Sequence, residues 1–276
     1  MLTFPRAMNP TIYGILSIPR NYQVLLRKSS LIVNLRFVIY GYTTGNMSRQ
    51  FFIRDADALF NDAQFMIDAF DSTLPHLAAT GNSEQWGTEP LSKKEGHVQR
   101  MHDTVAKSDN FRKTGTGEPL RVFIAEIEDD HVSSEYPSND RLARRTDRNG
   151  KSFVPVGFVK VLDEQFVSYL KTSDDLKDHV GPALEKGNFV FLQYLVTDHR
   201  VGEKRRGAGA ALLQKVKDYA AEKGWKTIWL DCWDGGNGQL VQYYVDRGFR
   251  SIGSFQDTHD KDEAPWKGKL LRMDLA

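Results

Sequence analysis

The chain has 276 residues, of which 40% are hydrophobic and 26% charged, and these fractions are typical of an ordinary globular protein with one large core or two smaller ones. A formal net charge of +1 excludes a global attraction to nucleic acid, so a site for a polyanion must be local. The single cysteine, Cys232, excludes an internal disulfide and favours a reducing compartment.

The first 46 residues differ in charge from the rest of the chain. No acidic residue precedes Asp55, whereas basic residues do: Arg6, Arg20, Arg27, Lys28, Arg36 and Arg49. This bias is typical of a mitochondrial leader, and it also fits an upstream extension of the reading frame with Met47 as the working start. We favour the second interpretation and expect residues 1–46 to be a poorly ordered extension or a misassigned start of a cytoplasmic protein. The apolar stretch 31–42 is too short to cross a membrane.

The next elements are a strand and two helices. Residues 51–54 have the composition of a strand, and Asp55 is positioned to cap the helix that follows. A basic amphipathic stretch at 93–107 predicts a second helix. His97 and His102 within it have no cysteine or carboxylate at ligand spacing, so no metal site is expected.

Two further strands are predicted at 120–127 and 153–161, where apolar and β-branched residues predominate. Between them, residues 128–151 are highly charged, which predicts an exposed loop insertion. Acidic residues dilute its arginine cluster at 141–145, so we expect a solvated loop rather than a nucleic acid site. The following connection is predicted to be helical at 163–169.

The central stretch joins a strand to a glycine turn and a helix. Residues 189–196 are aromatic and β-branched, which predicts a buried strand. Gly207 and Gly209 let the backbone turn tightly and approach a ligand, and the apolar spacing after them predicts a helix. A helix start presents unpaired N–H groups and the positive end of the macrodipole, and the basic run 204–206 adds cations. The segment therefore predicts a site for a di- or polyanion.

The kind of anion is narrowed by what this segment lacks. It has no Gly-Lys-Ser/Thr ending, so it is not a nucleotide P-loop, and it lacks the third glycine of a dinucleotide fingerprint. About ten residues also separate the strand from the glycines, whereas the glycines of a Rossmann turn follow their strand at once.

Another strand, helix and strand follow. Residues 225–232 predict a buried strand. Asn237 can cap the next helix, Tyr244 lies on its apolar face, and Gly248 can end it. A last strand is predicted at 270–275, after a charged loop.

Together these motifs resemble those of the GNAT superfamily of acyl-CoA-dependent N-acyltransferases. Lys204-x-x-Gly207-x-Gly209 resembles the family's pyrophosphate-binding motif, Gln/Arg-x-x-Gly-x-Gly/Ala. Asn237, Tyr244 seven positions later and the pair 248–249 resemble its later helix-to-strand segment. The resemblance implies that residues 47–276 form an α/β (α+β) domain of three layers, in which a mixed, largely antiparallel sheet has helices on both faces and a splayed central strand.

The resemblance also implies a set of site residues. Cofactor-binding positions are expected at Leu195, Val196, Thr197, Lys204, Arg205, Arg206, Gly207, Ala208, Gly209, Ala210, Asn237 and Tyr244. Backbone amides around Leu195 and Val196 are expected to face the thioester. Tyr244 holds the family's tyrosine position and is expected to donate a proton to the departing thiolate, since a phenol with a pKa near 10 is protonated at neutral pH. The alternative for Tyr244 is a purely structural place in the core.

The sequence leaves the proton acceptor open. Many relatives carry a glutamate on the central strand, whereas residues 189–196 contain no carboxylate. The alternatives are an ordered water that relays the proton, or a carboxylate such as Asp231 or Asp198.

The expected activity is transfer of an acetyl group from acetyl-CoA, as co-substrate, to a primary amine of a small-molecule acceptor by direct attack. No metal, nucleic acid or membrane is expected to take part, and a homodimer is left open. Two alternatives remain, namely acetylation of a protein or peptide amine and a non-catalytic acyl-CoA-binding module.

Overall fold

The computed structural model describes residues 49–129, 142–257 and 265–276. Their strands are β1 (Phe52–Asp55), β2 (Leu120–Glu128), β3 (Arg145–Thr146), β4 (Ser152–Asp163), β5 (Phe189–Thr197), β6 (Thr227–Trp233), β7 (Arg250–Asp257) and β8 (Trp266–Asp274). Their helices are α1 (Asp62–Ala79), α2 (His97–Thr114), α3 (Ser168–Thr172), α4 (Lys177–Lys186), α5 (Ala208–Glu222) and α6 (Gln239–Val245). The predicted extension at 1–46 lies outside the described residues, as does part of the charged insertion, 130–141.

The described strands form one eight-stranded sheet in the order β1-β2-β4-β5-β6-β8-β7, and β3 pairs with β4 beside this path. Among these strands only β5 and β6 pair in parallel, and all other neighbours are antiparallel. Helices pack on both faces of the sheet. The predicted three-layer, mixed and largely antiparallel α/β fold is therefore confirmed.

The two faces of the sheet carry separate hydrophobic cores. On the first face, the core contains residues from α1, α2, α3 and α4. On the second face, it contains residues from α5 and α6. Strand β5 contributes to both, since Phe189 and Phe191 lie on the first face and Val190 and Leu192 on the second. Burial on both sides explains why this strand is a continuous apolar run rather than an alternating one.

The arginine cluster of the insertion takes part in the folded domain. Glu126 is fully buried, and Arg145 and Arg54 both donate to it, at 2.5 and 2.7 Å. Arg144 pairs with Asp129 at 3.0 Å. The expectation of a solvated loop is therefore wrong for Arg145, which compensates the buried Glu126, whereas Arg144 remains exposed while it pairs with Asp129.

Three helix predictions need correction. Asp57, not Asp55, caps the turn before α1 and accepts a hydrogen bond from Leu59 N–H at 2.9 Å, because Asp55 is still within β1. The helix predicted at 163–169 begins only at Ser168. Helix α4 was not predicted, because its Gly and Pro residues weaken the helical pattern.

In the described part of the chain, every helix is too short or too polar to cross a membrane.

Candidate active site

The central strands β5 and β6 separate partway along their length. Their parallel pairing ends at Leu192 and Leu230. The register between β4 and β5 shifts at the same level and leaves Gln193 as an extra residue of β5. Beyond this bulge β5 continues to Thr197 along β4, and β6 continues to Trp233 along β8. The two strands therefore form a fork, which agrees with the splayed central strand that the resemblance implies.

The register indicates which amides of β5 face the gap of the fork. Asp198 N–H donates to the carbonyl oxygen of Val156 on β4, at 2.9 Å. Along an antiparallel ladder, residues that bond to the neighbouring strand alternate with residues that do not. Val196 accordingly bonds to β4, whereas Leu195 and Thr197 direct their N–H groups to the other side, where the pairing with β6 has ended.

The glycine turn opens helix α5. Gly207 adopts a φ of 95°, in the left-handed region that other residues enter at a cost, and α5 begins at Ala208. The first helical hydrogen bond is donated by Ala211 N–H to the Gly207 carbonyl oxygen at 3.0 Å. The preceding amides of Ala208, Gly209 and Ala210 therefore lack a helical acceptor and can bind an anion at the positive end of the helix dipole.

Gly209 links this turn to the fork. A Cβ atom at position 209 would stand 3.4 Å from Leu195 Cδ2 and 4.0 Å from Thr197 Cγ2. The first turn of α5 therefore lies against the same part of β5 whose amides are open. Absence of a side chain at position 209 keeps the backbone accessible between these elements.

The three basic residues before the turn interact with different groups. Lys204 Nζ lies 3.9 Å from Asp129 Oδ1, and Arg205 Nη2 lies 3.2 Å from His199 Nδ1. Arg206 is exposed and pairs with the glutamate three residues before it at 2.7 Å. Because each of these three cations already interacts with a protein group, the backbone amides of the turn are the main hydrogen-bond donors available to an anion.

The two remaining residues that the sequence singles out lie just before helix α6 and within it. Gly238 is the N-cap residue, and Asn237 precedes it. Asn237 accepts a hydrogen bond from Gln239 N–H, the first residue of the helix, at 3.2 Å. Tyr244 is buried on the second face, and its ring packs edge-to-face on Phe249 at 5.7 Å. Burial raises the pKa of the Tyr244 phenol, and Cys232 on β6 raises it further. The phenol therefore stays protonated and lies near the separated part of β6.

A comparison with known protein families agrees with this arrangement. The model of the acetyltransferase (GNAT) family matches residues 109–249, more than half of the chain, and the match contains the fork, the turn and α6. The chain belongs to this family. Membership indicates that this GNAT protein is a transferase. No match was found among curated proteins.

Several solved structures are similar to this GNAT protein. An N-acetyltransferase from Staphylococcus aureus Mu50 is 13% identical, with a TM-score of 0.47 over 82% of this chain and 99% of that chain. A ribosomal-protein-alanine N-acetyltransferase from Brucella melitensis is 12% identical, with a TM-score of 0.46 over 81% and 99%. A phosphinothricin acetyltransferase from Sinorhizobium meliloti, in complex with acetyl-CoA, is 11% identical, with a TM-score of 0.46 over 82% and 89%.

Tyr243 lies at the candidate site of this GNAT protein, although sequence reasoning did not single it out. Its hydroxyl oxygen would stand 3.0 Å from a Cβ atom at Gly209, so it lies over the glycine turn. The guanidinium of Arg247 lies 3.5 Å from the centre of its ring and donates to its backbone carbonyl oxygen at 2.7 Å. Burial raises the pKa of the Tyr243 phenol. The adjacent tyrosines therefore occupy different places, with Tyr243 at the turn and Tyr244 in the core beside β6.

Asp231 lies on β6 one residue beyond the last pair with β5, and part of its surface remains exposed. Its Oδ2 accepts a hydrogen bond from Tyr169 Oη at 3.0 Å. Burial raises the pKa of this carboxyl to about 7, although the hydrogen bond from Tyr169 acts in the opposite direction. A carboxyl that is half ionised near neutral pH is suited to accept a proton.

Asp198, the other carboxylate considered from sequence, is committed to a structural role. It is fully buried and accepts hydrogen bonds from Arg200, from the backbone N–H at 2.9 Å and from Nη2 at 2.7 Å. Arg200 also bridges to Asp68 on α1 at 2.8 Å. Asp198 therefore holds the loop after β5 rather than facing the fork.

Among residues 49–129, 142–257 and 265–276, no three histidine, cysteine or acidic side chains are grouped so that they could hold a metal ion.

Proposed function

We propose that this GNAT protein is an N-acetyltransferase that moves an acetyl group from acetyl-CoA to a primary amine by direct attack. The observation that carries the proposal is the contact between the turn and the fork. The free amides of Ala208, Gly209 and Ala210 at the start of α5 lie next to the open amides of Leu195 and Thr197 on β5. The two sets meet at Gly209. This arrangement offers donors for a pyrophosphate and, next to them, donors along a strand edge for an extended amide chain.

The co-substrate has groups that match both sets of donors. Its pyrophosphate would bind the amides of Ala208, Gly209 and Ala210. The hydroxyl of Tyr243, from α6, lies beside the same turn. Its pantetheine amides would pair with the free edge of β5. An N–H of β5 in the gap would stabilise the negative charge that develops on the acyl oxygen.

Acetyl transfer also needs a proton acceptor. A primary ammonium ion must lose one proton before its nitrogen can attack, and this costs about 4–5 kcal/mol at pH 7 for an amine with a pKa of about 10.4. Asp231 is the group we assign to this step, since it lies at the opening of the fork with a pKa of about 7. Asp231 passes this first proton to solvent. As the C–N bond forms and the C–S bond breaks, the nitrogen gives its second proton to Asp231 and the thiolate takes up one proton, so one proton is released overall.

Tyr244 is the group we assign as donor of the proton to the thiolate. Its raised pKa keeps it protonated, and its phenol lies near Cys232 in the separated part of β6. Tyr243 is the competing candidate, because its hydroxyl lies on the same helix and over the turn. The position of that hydroxyl at Gly209 favours a role for Tyr243 in binding the pyrophosphate.

The decisive experiment combines binding with turnover. Calorimetry of the full chain should show acetyl-CoA binding, and a panel of primary amines should release free thiol from acetyl-CoA at a rate above hydrolysis. Binding without transfer to any small-molecule, protein or peptide amine would favour a non-catalytic acyl-CoA-binding module. Absence of binding would overturn the proposal.

A further inference from the structure

Asp231 interacts with two members of a cluster of aromatic side chains on the first face of the sheet, since Tyr169 donates a hydrogen bond to it and its charge raises the pKa of Tyr194. The members of the cluster are Tyr169 from α3, Tyr194 from β5, Phe255 from β7, Trp266 from β8 and Trp86 from the loop after α1, and we call them the aromatic cage. Four of the five are only partly buried, and Phe255 is buried beneath them. Elements far apart in sequence thus bring π surfaces together beside one carboxylate.

One side of the cage is a continuous row of rings. Tyr169, which donates to Asp231, stacks on Phe255 with ring centroids 6.0 Å apart. Phe255 in turn lies 5.9 Å from Trp266, and Trp266 lies 5.8 Å from Trp233. These spacings are those of favourable aromatic pairs.

The other side of the cage is formed around Tyr194. Its ring lies 6.1 Å from Trp86 and 5.4 Å from Phe70 of α1. A hydrogen bond connects the two sides, because Trp266 Nε1 donates to the carbonyl oxygen of Gln85 at 3.1 Å, and Gln85 precedes Trp86. The loop after α1 is therefore held against β8. Each side contributes one ring that interacts with the carboxylate, namely Tyr169 and Tyr194.

The charged groups around the cage have both signs. Lys160 Nζ lies 5.8 Å from the centre of the Tyr194 ring, and burial lowers the pKa of its ammonium group to about 8. Asp231 and Asp257 both raise the pKa of the Tyr169 phenol, after burial, which is the largest cause. Asp231 also raises the pKa of Tyr194, whereas Arg100 lowers it. Trp233 Nε1 is buried and has no hydrogen-bond partner among the described residues. The carboxylate of Asp231 and the partly buried ring faces beside it favour an amine with an apolar body over an anionic group.

We infer that the acceptor is a small primary amine carried on an aromatic or other apolar body, which the cage binds while its nitrogen lies at Asp231. This inference rests on the proposed function, since it names the acceptor class of that site. The rings bury the apolar body and attract the ammonium ion, and the partly buried carboxylate then takes its proton. An amino sugar would lose hydrogen bonds to water that the rings cannot replace.

The test compares amines that differ in their bodies. We expect 2-phenylethylamine to have a kcat/KM at least about tenfold higher than that of glucosamine or of a peptide with an N-terminal alanine. Calorimetry should also show that 2-phenylethylamine binds to the complex of the full chain with CoA, a readout that is independent of turnover.

Two variants locate the binding of the aryl group in the cage. Trp86→Leu and Trp266→Leu should each raise the KM for 2-phenylethylamine about tenfold, with kcat and acetyl-CoA affinity close to the parent values. Trp225→Leu is the matched control, because Trp225 packs on Tyr219 on the second face and should leave all three quantities unchanged. Trp86→Leu breaks no hydrogen bond of the tryptophan side chain, so it remains informative if Trp266→Leu does not fold.

The two proposals fail in different ways. Preference for glucosamine or the peptide, or parent-like KM values in both cage variants, would overturn the inference and leave the proposed function standing. Failure of 2-phenylethylamine to bind the CoA complex would do the same. Loss of acetyl-CoA binding in the parent chain would overturn the proposed function, and the acceptor class with it.

Discussion

The hydroxyl of Tyr243 on α6 lies against the backbone of Gly209 at the start of α5, since a Cβ atom at position 209 would stand only 3.0 Å from Tyr243 Oη. This contact joins α6 to the anion-binding turn. It also means that a side chain at position 209 must displace Tyr243 and enter the space in which the pyrophosphate would bind.

Gly209→Val should therefore weaken acetyl-CoA binding by about tenfold or more, because loss of one charge-assisted hydrogen bond costs about 1.5–3 kcal/mol. Calorimetry measures the affinity, and circular dichroism checks the fold. Parent-like binding by Gly209→Val would remove this turn from the co-substrate site.

Gly207 supports the same turn through its backbone conformation. Gly207→Ala should lower the free energy of unfolding by about 1–2 kcal/mol or more, because a left-handed φ costs about that much in an L-residue and the new Cβ would stand 3.0 Å from Phe51 Cε2. Gly224→Ala provides the comparison, since Gly224 also has a positive φ, 72°, but no neighbour within 4 Å. Urea denaturation should show a larger loss for Gly207→Ala, and equal losses would contradict the crowding at Phe51.

The two tyrosines of α6 can be separated by removing one hydroxyl at a time. Tyr244→Phe should slow the chemical step by about 10²–10⁴-fold, the usual contribution of general acid–base catalysis, with little change in acetyl-CoA affinity. Tyr243→Phe should mainly weaken acetyl-CoA binding, since its hydroxyl lies at the turn. Single-turnover rates and calorimetry distinguish these outcomes. The reverse pattern would assign the acid role to Tyr243.

Asp231 should impose a pH dependence on kcat/KM. A base with a pKa of about 7 is active when ionised, so kcat/KM should rise as pH increases through 7. Ionisable groups nearby are Tyr169, Tyr194, Asp257 and Arg100, together with Lys160, whose pKa burial lowers to about 8. Asp231→Asn should lower kcat/KM and remove the rise near pH 7. A second rise in kcat/KM at higher pH, where the amine loses its proton in solution, should remain. An unchanged profile would exclude Asp231 as the base.

The raised pKa of Asp231 also makes the free energy of unfolding depend on pH. The folded-state pKa of Asp231 lies above its ordinary value of 3.8, so this group favours the folded state at low pH. That contribution is lost as pH rises through about 7, where the buried carboxyl ionises. Relative to the parent, Asp231→Asn should therefore be more stable at pH 8 than at pH 5. Thermal denaturation at both pH values measures this difference.

Local patterns in the sequence were sufficient to predict strand β5, the turn and α5, whereas the fork was implied by the resemblance to the family. The apolar run of β5, the glycines at 207 and 209 and the helical spacing after them each determine structure within a few residues. The fold class followed, because these elements occur in the order of the resembled family.

The places of Tyr243 and Asp231 depend on tertiary contacts instead. Tyr243 and Tyr244 are adjacent, and no local pattern indicates which hydroxyl lies over Gly209. Burial raises the pKa of Asp231, which lies where β6 has separated from β5, although the hydrogen bond from Tyr169 of α3 lowers it. The cage joins rings from five elements, so the sequence alone gave no indication of it.

Direct transfer of the acetyl group from acetyl-CoA to the amine is tested most directly by the product that the full chain forms from deuterated acetyl-CoA and 2-phenylethylamine. We expect N-acetyl-2-phenylethylamine that carries the deuterated acetyl group. One free CoA should be released for each amide formed, and no acetyl group should be retained on the protein. Mass spectrometry of the product and of the intact protein measures both. Release of CoA without the labelled amide, or an acetylated protein that transfers its acetyl group in a second step, would contradict direct attack of the amine on the thioester.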